Sequence, residues 1–319
     1  MIKRLVKIGI GVALGIGILF IGWGIFIASP WYPQTWYREE TTSKEVMESN
    51  KKWVDKMKNE GEVKLGVQLE YVSVTTTRSI NQNIECVGEV TYPQILSGAD
   101  ADIMNRINKK IEQTVKETFL HDDEKIYAPS VAEAVAAYAK QCSKELKERI
   151  ALEIPTYKHP PYYHHSWFHI LKTSVSLNEK NLLSLRFDLQ NEFGGAHPIY
   201  WTSVLSFDVK TGKILTFDDL FKPDQLQNFF RYEKQALLDQ NPFQRSLFSG
   251  FEEALKKNEP LIPGMHINTF YLTPKSMMSV YQDYEITGHG NGIPHVEMPY
   301  AKLRSFVYVD GPLGVFLDR

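Results

Sequence analysis

The chain has 319 residues, 43% apolar and 23% charged, with a formal net charge of −2. That composition excludes a mainly disordered, collagenous or cysteine-scaffolded chain. With Lys3, Arg4 and Lys7 set apart at the N-terminus, 33 basic face 38 acidic side chains over the rest, so no basic stripe points to a nucleic-acid partner.

Ile8 to Ala28 is an uncharged run of twenty-one residues, long enough at 1.5 Å per residue to cross a hydrocarbon core of roughly 30 Å. It reads as a transmembrane helix. A cleaved signal peptide would need small residues at both −3 and −1, and Phe26-Ile27-Ala28 supplies only the second. Three cations before the span place residues 1–7 in the cytoplasm and the bulk outside, in a periplasm or at a cell surface. Trp31, Tyr32, Trp36 and Tyr37 follow as an interfacial belt. Residues 29–62 are a membrane-proximal linker with a helix over Ser43 to Asn59.

Near-alternation predicts a strand within Val63 to Ile80 and a second over Ile84 to Tyr92, ended by Pro93. Ile103, Ile107, Ile111 and Val115, spaced by four, give a helix over Ala99 to Phe119. Ser130 with Glu133 opens another, running to Leu152. Pro155, Pro160 and Pro161 suggest a division between a 63–157 half and a 158–319 half. A hairpin follows, Trp167 to Leu177 and Leu182 to Leu189, then a Gly-rich loop from Asn191 to Pro198 and a strand from Ile199 to Val209. Helix is expected from Asp218 to about Leu238 and around Leu247 to Lys257, a hairpin at Phe270 to Leu272 and Met277 to Tyr281, and a last strand at Val307 to Val309. The fold class is α+β, mainly antiparallel sheet with packed helices, preceded by one N-terminal transmembrane helix.

Cys86 and Cys142 are the only cysteines; outside the cytoplasm they can form a structural disulfide, and they make no zinc site. Tyr163, His164, His165 and Trp167 lie in an aromatic, histidine-rich run ending at His169. Its spacing fits no zinc ligand set, and it reads as a half-exposed strand entrance able to supply contacts. In Gly194, Gly195, His197 and Tyr200 the paired glycines allow close backbone approach, so His197 either faces a ligand or closes a tight corner. Nucleotide-binding and common hydrolase motifs are missing. No metal or cofactor is expected.

Phe193-Gly194-Gly195-Ala196-His197, Ser206 through Thr216 and Asp219-Leu220-Phe221 resemble a GGAH-containing family of extracytoplasmic domains of unknown function. Phe270 to Thr273 and Glu297 to Tyr300 fit the same pattern, and Val90 to Asn108 resembles its usual preceding companion domain. The family also forms the outer part of a lysozyme-sensing anti-sigma factor and the N-terminal part of some peptidoglycan deacetylases. The resemblance implies a binding or sensing module of the cell envelope, tethered by residues 8–28, whose ligand is a lysozyme-like protein or a peptidoglycan-type glycan. With about seven residues before the span, anti-sigma activity is not expected. The rival is an envelope hydrolase or glycan-modifying enzyme using His197 with Glu192.

Overall fold

The structure, a computed structural model, describes residues 66–80, 84–120, 128–153, 166–194, 197–240 and 269–318. The expected membrane span, the 43–59 and 247–257 helices, Tyr163, His164, His165 and Gly195 lie outside them. No described helix is long and apolar enough to cross a membrane. All described residues belong to one unit, 53–319.

Six strands make the larger sheet in chain order: β1 (Gln68–Ser79), β2 (Glu85–Ser97), β3 (Trp167–Glu179), β4 (Leu182–Glu192), β5 (Ile199–Asp208) and β6 (Lys213–Ile214). Every pair is antiparallel except β2 with β3. Parallel neighbours need a crossover. Here it contains two helices, α1 (Ala101–Phe119) and α2 (Val131–Glu153). The sheet thus draws strands from both sides of the 157/158 division.

Local chemistry explains the helices. Asp100 caps α1 by accepting from the Asp102 N–H at 2.9 Å. Ser130 and Glu133 form a reciprocal capping box, Glu133 N–H to Ser130 Oγ at 3.2 Å and Ser130 N–H to Glu133 Oε2 at 3.1 Å. The four-spaced Ile107, Ile111 and Val115, with Phe119, are buried in one core with Val90, Leu171, Leu185 and Phe187. Cys86 on β2 and Cys142 on α2 are joined in a disulfide. Gly88 lets α2 approach β2, because a Cβ there would stand 3.1–3.2 Å from Val135 and Tyr138.

β2 does not stop at Pro93 but continues to Ser97, with Pro93 opposite Tyr71. The reason is pairing: β3 accompanies β2 only as far as Thr91, so Pro93 has a neighbour on one side alone, where a missing N–H is tolerated.

Beyond β6 come α3 (Phe217–Leu220), a 3-10 turn at Pro223–Gln225 and α4 (Leu226–Gln240). A second sheet, β7 (Phe270–Leu272), β8 (Ser276–Val280) and β9 (His295–Pro299), is antiparallel throughout, and α5 (Tyr300–Leu303) follows. This end has its own core, including Phe221, Phe229, Leu272, Met298 and Phe316. Ser184 on β4 accepts the Leu272 N–H at 2.9 Å and bonds Ser206 at 2.8 Å, tying β7 to the large sheet. The expected strand at 307–309 is only a bridge, Phe221 opposite Val307, since the chain leaves α5 through a turn and touches the 217–222 segment for one residue pair.

Candidate functional site

Of the aromatic entrance to β3, the described Trp167 and His169 are interior rather than half-exposed. Trp167 is 1% accessible, with Arg149 of α2 over its ring at 5.0 Å and Phe193 edge-on at 5.9 Å. It cannot offer a ligand contact, because α2 and the 193 loop cover it. His169 is likewise buried, its Nε2 2.6 Å from the Phe119 carbonyl and its ring stacked on Tyr138 at 4.6 Å. Gly194 takes φ 76°, a conformation that favours glycine, and donates its N–H to Glu192 Oε1 at 3.0 Å. Its contribution is a backbone corner just beyond the end of β4. Glu192 is mostly buried and spends an oxygen on that corner.

His197 and Tyr200 meet residues from the far end of the chain. The edge of β5 is open where β6 does not reach, and Gln282 fills it as a surrogate strand. Its Oε1 accepts the Thr202 N–H at 3.0 Å, and its Nε2 donates to the Thr202 carbonyl at 2.8 Å. Glu285 closes the next turn by accepting the Gln282 N–H through Oε2 at 2.5 Å. Burial pushes the Glu285 carboxyl upward, the bond to Gln282 opposing it. Within this turn Tyr284 sits at φ 62°, a strained region for a bulky residue.

The consequence is a stack of four rings. His197 and His289 lie face to face, centroids 3.7 Å apart and planes within 14°. Tyr200 is 5.6 Å from His289 at 11°, and Tyr284 is 5.9 Å from it at 23°. His197 Nδ1 faces the Pro198 carbonyl at 3.1 Å, which can only accept, so this nitrogen carries the proton. Nε2 is then the acceptor, and the Tyr284 hydroxyl donates to it at 2.9 Å. Both nitrogens of His197 are therefore occupied. His289 Nδ1 donates to Asp283 Oδ2 at 2.8 Å, which leaves its Nε2 without a partner among the described residues. The Asp283 side chain is 3% exposed, and its other oxygen, Oδ1, is buried without a hydrogen bond among the described residues. A Cβ at Gly288, Gly290 or Gly292 would meet nothing within 4 Å, so the turn around His289 borders open space.

The carboxylate bonded within the ring stack is thus Asp283, through His289. Asp283, Tyr284 and His289 are absent from the sequence-derived candidates; the signal was Gly288-His289-Gly290-Asn291-Gly292, a glycine-rich turn presenting a histidine. A second polar group meets the same Thr202. Arg186 pairs with Asp188 at 2.7 Å, Asp188 accepts from Thr202 Oγ1 at 2.9 Å, and Tyr271 Oη lies 3.2 Å from His295 Nδ1. Burial, and then the Arg186 charge, lower His295 to about 4, with Asp188 opposing. Among the described residues no group of three or more His, Cys, Asp or Glu is arranged to hold a metal ion.

Residues 80–200 match the family model described as Deacetylase PdaC, and residues 218–301 match that of a protein of unknown function, DUF3298. No curated protein matches the chain. Two solved structures share the fold. A DUF3298 family member from Bacteroides fragilis is 19% identical with a TM-score of 0.58, covering 80% of this chain and 100% of its own. A DUF3298 family protein from Pseudomonas aeruginosa is 17% identical with a TM-score of 0.53, covering 77% of this chain and 96% of its own.

Proposed function

We propose that this chain, in which a match to the PdaC model precedes a match to the DUF3298 model, is a membrane-anchored recognition module of the cell envelope. Its ligand is a peptidoglycan-type glycan, and its site is the stack of Tyr200, His197, His289 and Tyr284. The observation that carries the reading is that stack: near-parallel rings with polar edges, ending in a Tyr284 side chain that is 51% exposed. A pyranose has one apolar C–H face and a rim of hydroxyls. Rings held rigid by neighbours can cover the first, and imidazole and phenol edges can bond the second. The Gln282 latch on Thr202 holds the platform in place, which lowers the ordering cost of binding.

The anchoring and the location outside the cytoplasm rest on the apolar run from Ile8 to Ala28 with its three preceding cations. The Cys86–Cys142 disulfide suits an oxidising compartment. The PdaC region adds an association with a deacetylase, consistent with a cell-wall glycan as the partner.

The test is binding of the full-length protein in detergent to peptidoglycan fragments freed of ester-linked acyl groups, alongside immobilised lysozyme. Saturable glycan binding that falls at least tenfold in Tyr284→Ala is expected. Capture by lysozyme with the glycan ignored would replace the glycan by a protein ligand.

A further inference from the structure

The His289–Asp283 pair does more than a binding platform requires. An imidazole that only stacked against a sugar would need no carboxylate behind it. Here a side chain 3% exposed is fixed at 2.8 Å from Nδ1, and its second oxygen has no hydrogen bond among the described residues. A carboxylate on Nδ1 selects the tautomer with Nε2 unprotonated and stabilises the imidazolium that forms when Nε2 takes a proton. His197 cannot play this part, since Pro198 and Tyr284 occupy both its nitrogens. What it provides is a flat support at 3.7 Å that fixes the His289 plane. Open space lies beside the glycines on either side of His289.

We propose that His289, oriented by Asp283, is a general base that hydrolyses ester-linked acyl groups from the glycan held on the ring stack. The proposal rests on the glycan reading above. A water at His289 Nε2 adds through its oxygen to the acyl carbon while its proton passes to Nε2. The tetrahedral adduct breaks the bond to the sugar oxygen, and that alkoxide takes the proton back from Nε2. The products are the carboxylic acid and the free sugar hydroxyl, and the protein is unchanged. An ester suits a site built around one base, because an alkoxide leaves more readily than an amine and the ester carbonyl is the more electrophilic.

The experiment follows acetate release by the full-length protein from O-acetylated peptidoglycan fragments and from p-nitrophenyl acetate, with glycan binding measured on the same preparations. His289→Ala should lower kcat about 10²–10⁴-fold, and added imidazole should restore part of it, a rescue that a purely structural histidine would not show. Asp283→Asn should lower kcat and leave KM nearly unchanged, as befits a positioning residue. Release by wild type no faster than by His289→Ala, or a loss in a folded variant that imidazole does not rescue, overturns the proposal. Glycan bound but not deacylated leaves the recognition reading standing and removes this one. Turnover of the small ester without glycan binding does the reverse, keeping the base and removing the glycan.

Discussion

Two buried ionisable groups should give the fold opposite responses to pH, and a single substitution separates them. Glu233 on α4 is 2% exposed in the second core. Burial raises its carboxyl from 4.5 to about 7, against weaker opposition from hydrogen bonds with Ser279 and Tyr281. Between those values the native state holds a proton that the unfolded state has lost, so the contribution is complete below pH 4.5 and disappears as pH climbs through 7. His295 behaves inversely. It is lowered from 6.5 to about 4, so between pH 6.5 and 4 the unfolded state binds the extra proton. Its contribution is complete above pH 6.5 and disappears as pH falls through 4. At about 1.4 kcal/mol per pH unit, each term amounts to about 3 kcal/mol across its window, and over pH 4.5–6.5 the two slopes oppose. Glu233→Gln keeps the shape and removes one of them. Relative to wild type, the variant should gain about 3 kcal/mol as pH goes from 4.5 to 7, or about 6–12 °C in Tm for a domain of this size. Thermal unfolding followed by circular dichroism at half-unit steps reads it directly. Wild-type and variant curves that run parallel over this range would refute the reasoning.

The helices were legible because their signals are local. Four-spaced isoleucines and a Ser130–Glu133 box lie within a few residues of one another, and the structure uses both as expected. Pro93 misled because the rule against proline assumes two neighbouring strands, and β2 has only one there. The hairpin between β3 and β4 turns through Lys180 and Asn181, both at positive φ, in place of the glycine-containing pair that advertises such turns. Trp167 shows why aromatic density is ambiguous. A ring-rich segment can face water or a helix, and the choice is made by Arg149 and Phe193, which the strand's own residues do not encode. The ring stack was half visible. His197 stood out through its paired glycines, but Tyr284, its hydrogen-bond partner, is 87 residues away in sequence. What joins them is Gln282 completing the edge of β5, a contact made by a single polar side chain with no periodic pattern behind it.

Three further outcomes follow from the same contacts. The double variant Cys86→Ser, Cys142→Ser opens a loop of sequence separation 56 and should lose about 4 kcal/mol by loop entropy. Urea denaturation measures it, and a loss under about 1 kcal/mol would reject that account. Gln282→Ala strands the N–H and carbonyl of buried Thr202 and should cost about 1–3 kcal/mol, with faster hydrogen exchange over 281–294. Unchanged exchange there would mean the latch is not what holds the turn. Tyr284→Gly separates stability from recognition. Glycine accepts φ 62° without the roughly 1–2 kcal/mol that an L side chain incurs in the left-handed region. The substitution also forfeits the hydrogen bond to His197, worth about 0.5–1.5 kcal/mol. These changes nearly offset, so unfolding free energy should move by less than about 1 kcal/mol. Glycan affinity should nevertheless fall tenfold or more, because the exposed end of the platform is gone. Tyr284→Phe keeps the ring and should bind within a few-fold of wild type. If Tyr284→Gly binds as well as wild type, the recognition surface does not include this ring, and the stack exists to hold His289 in place.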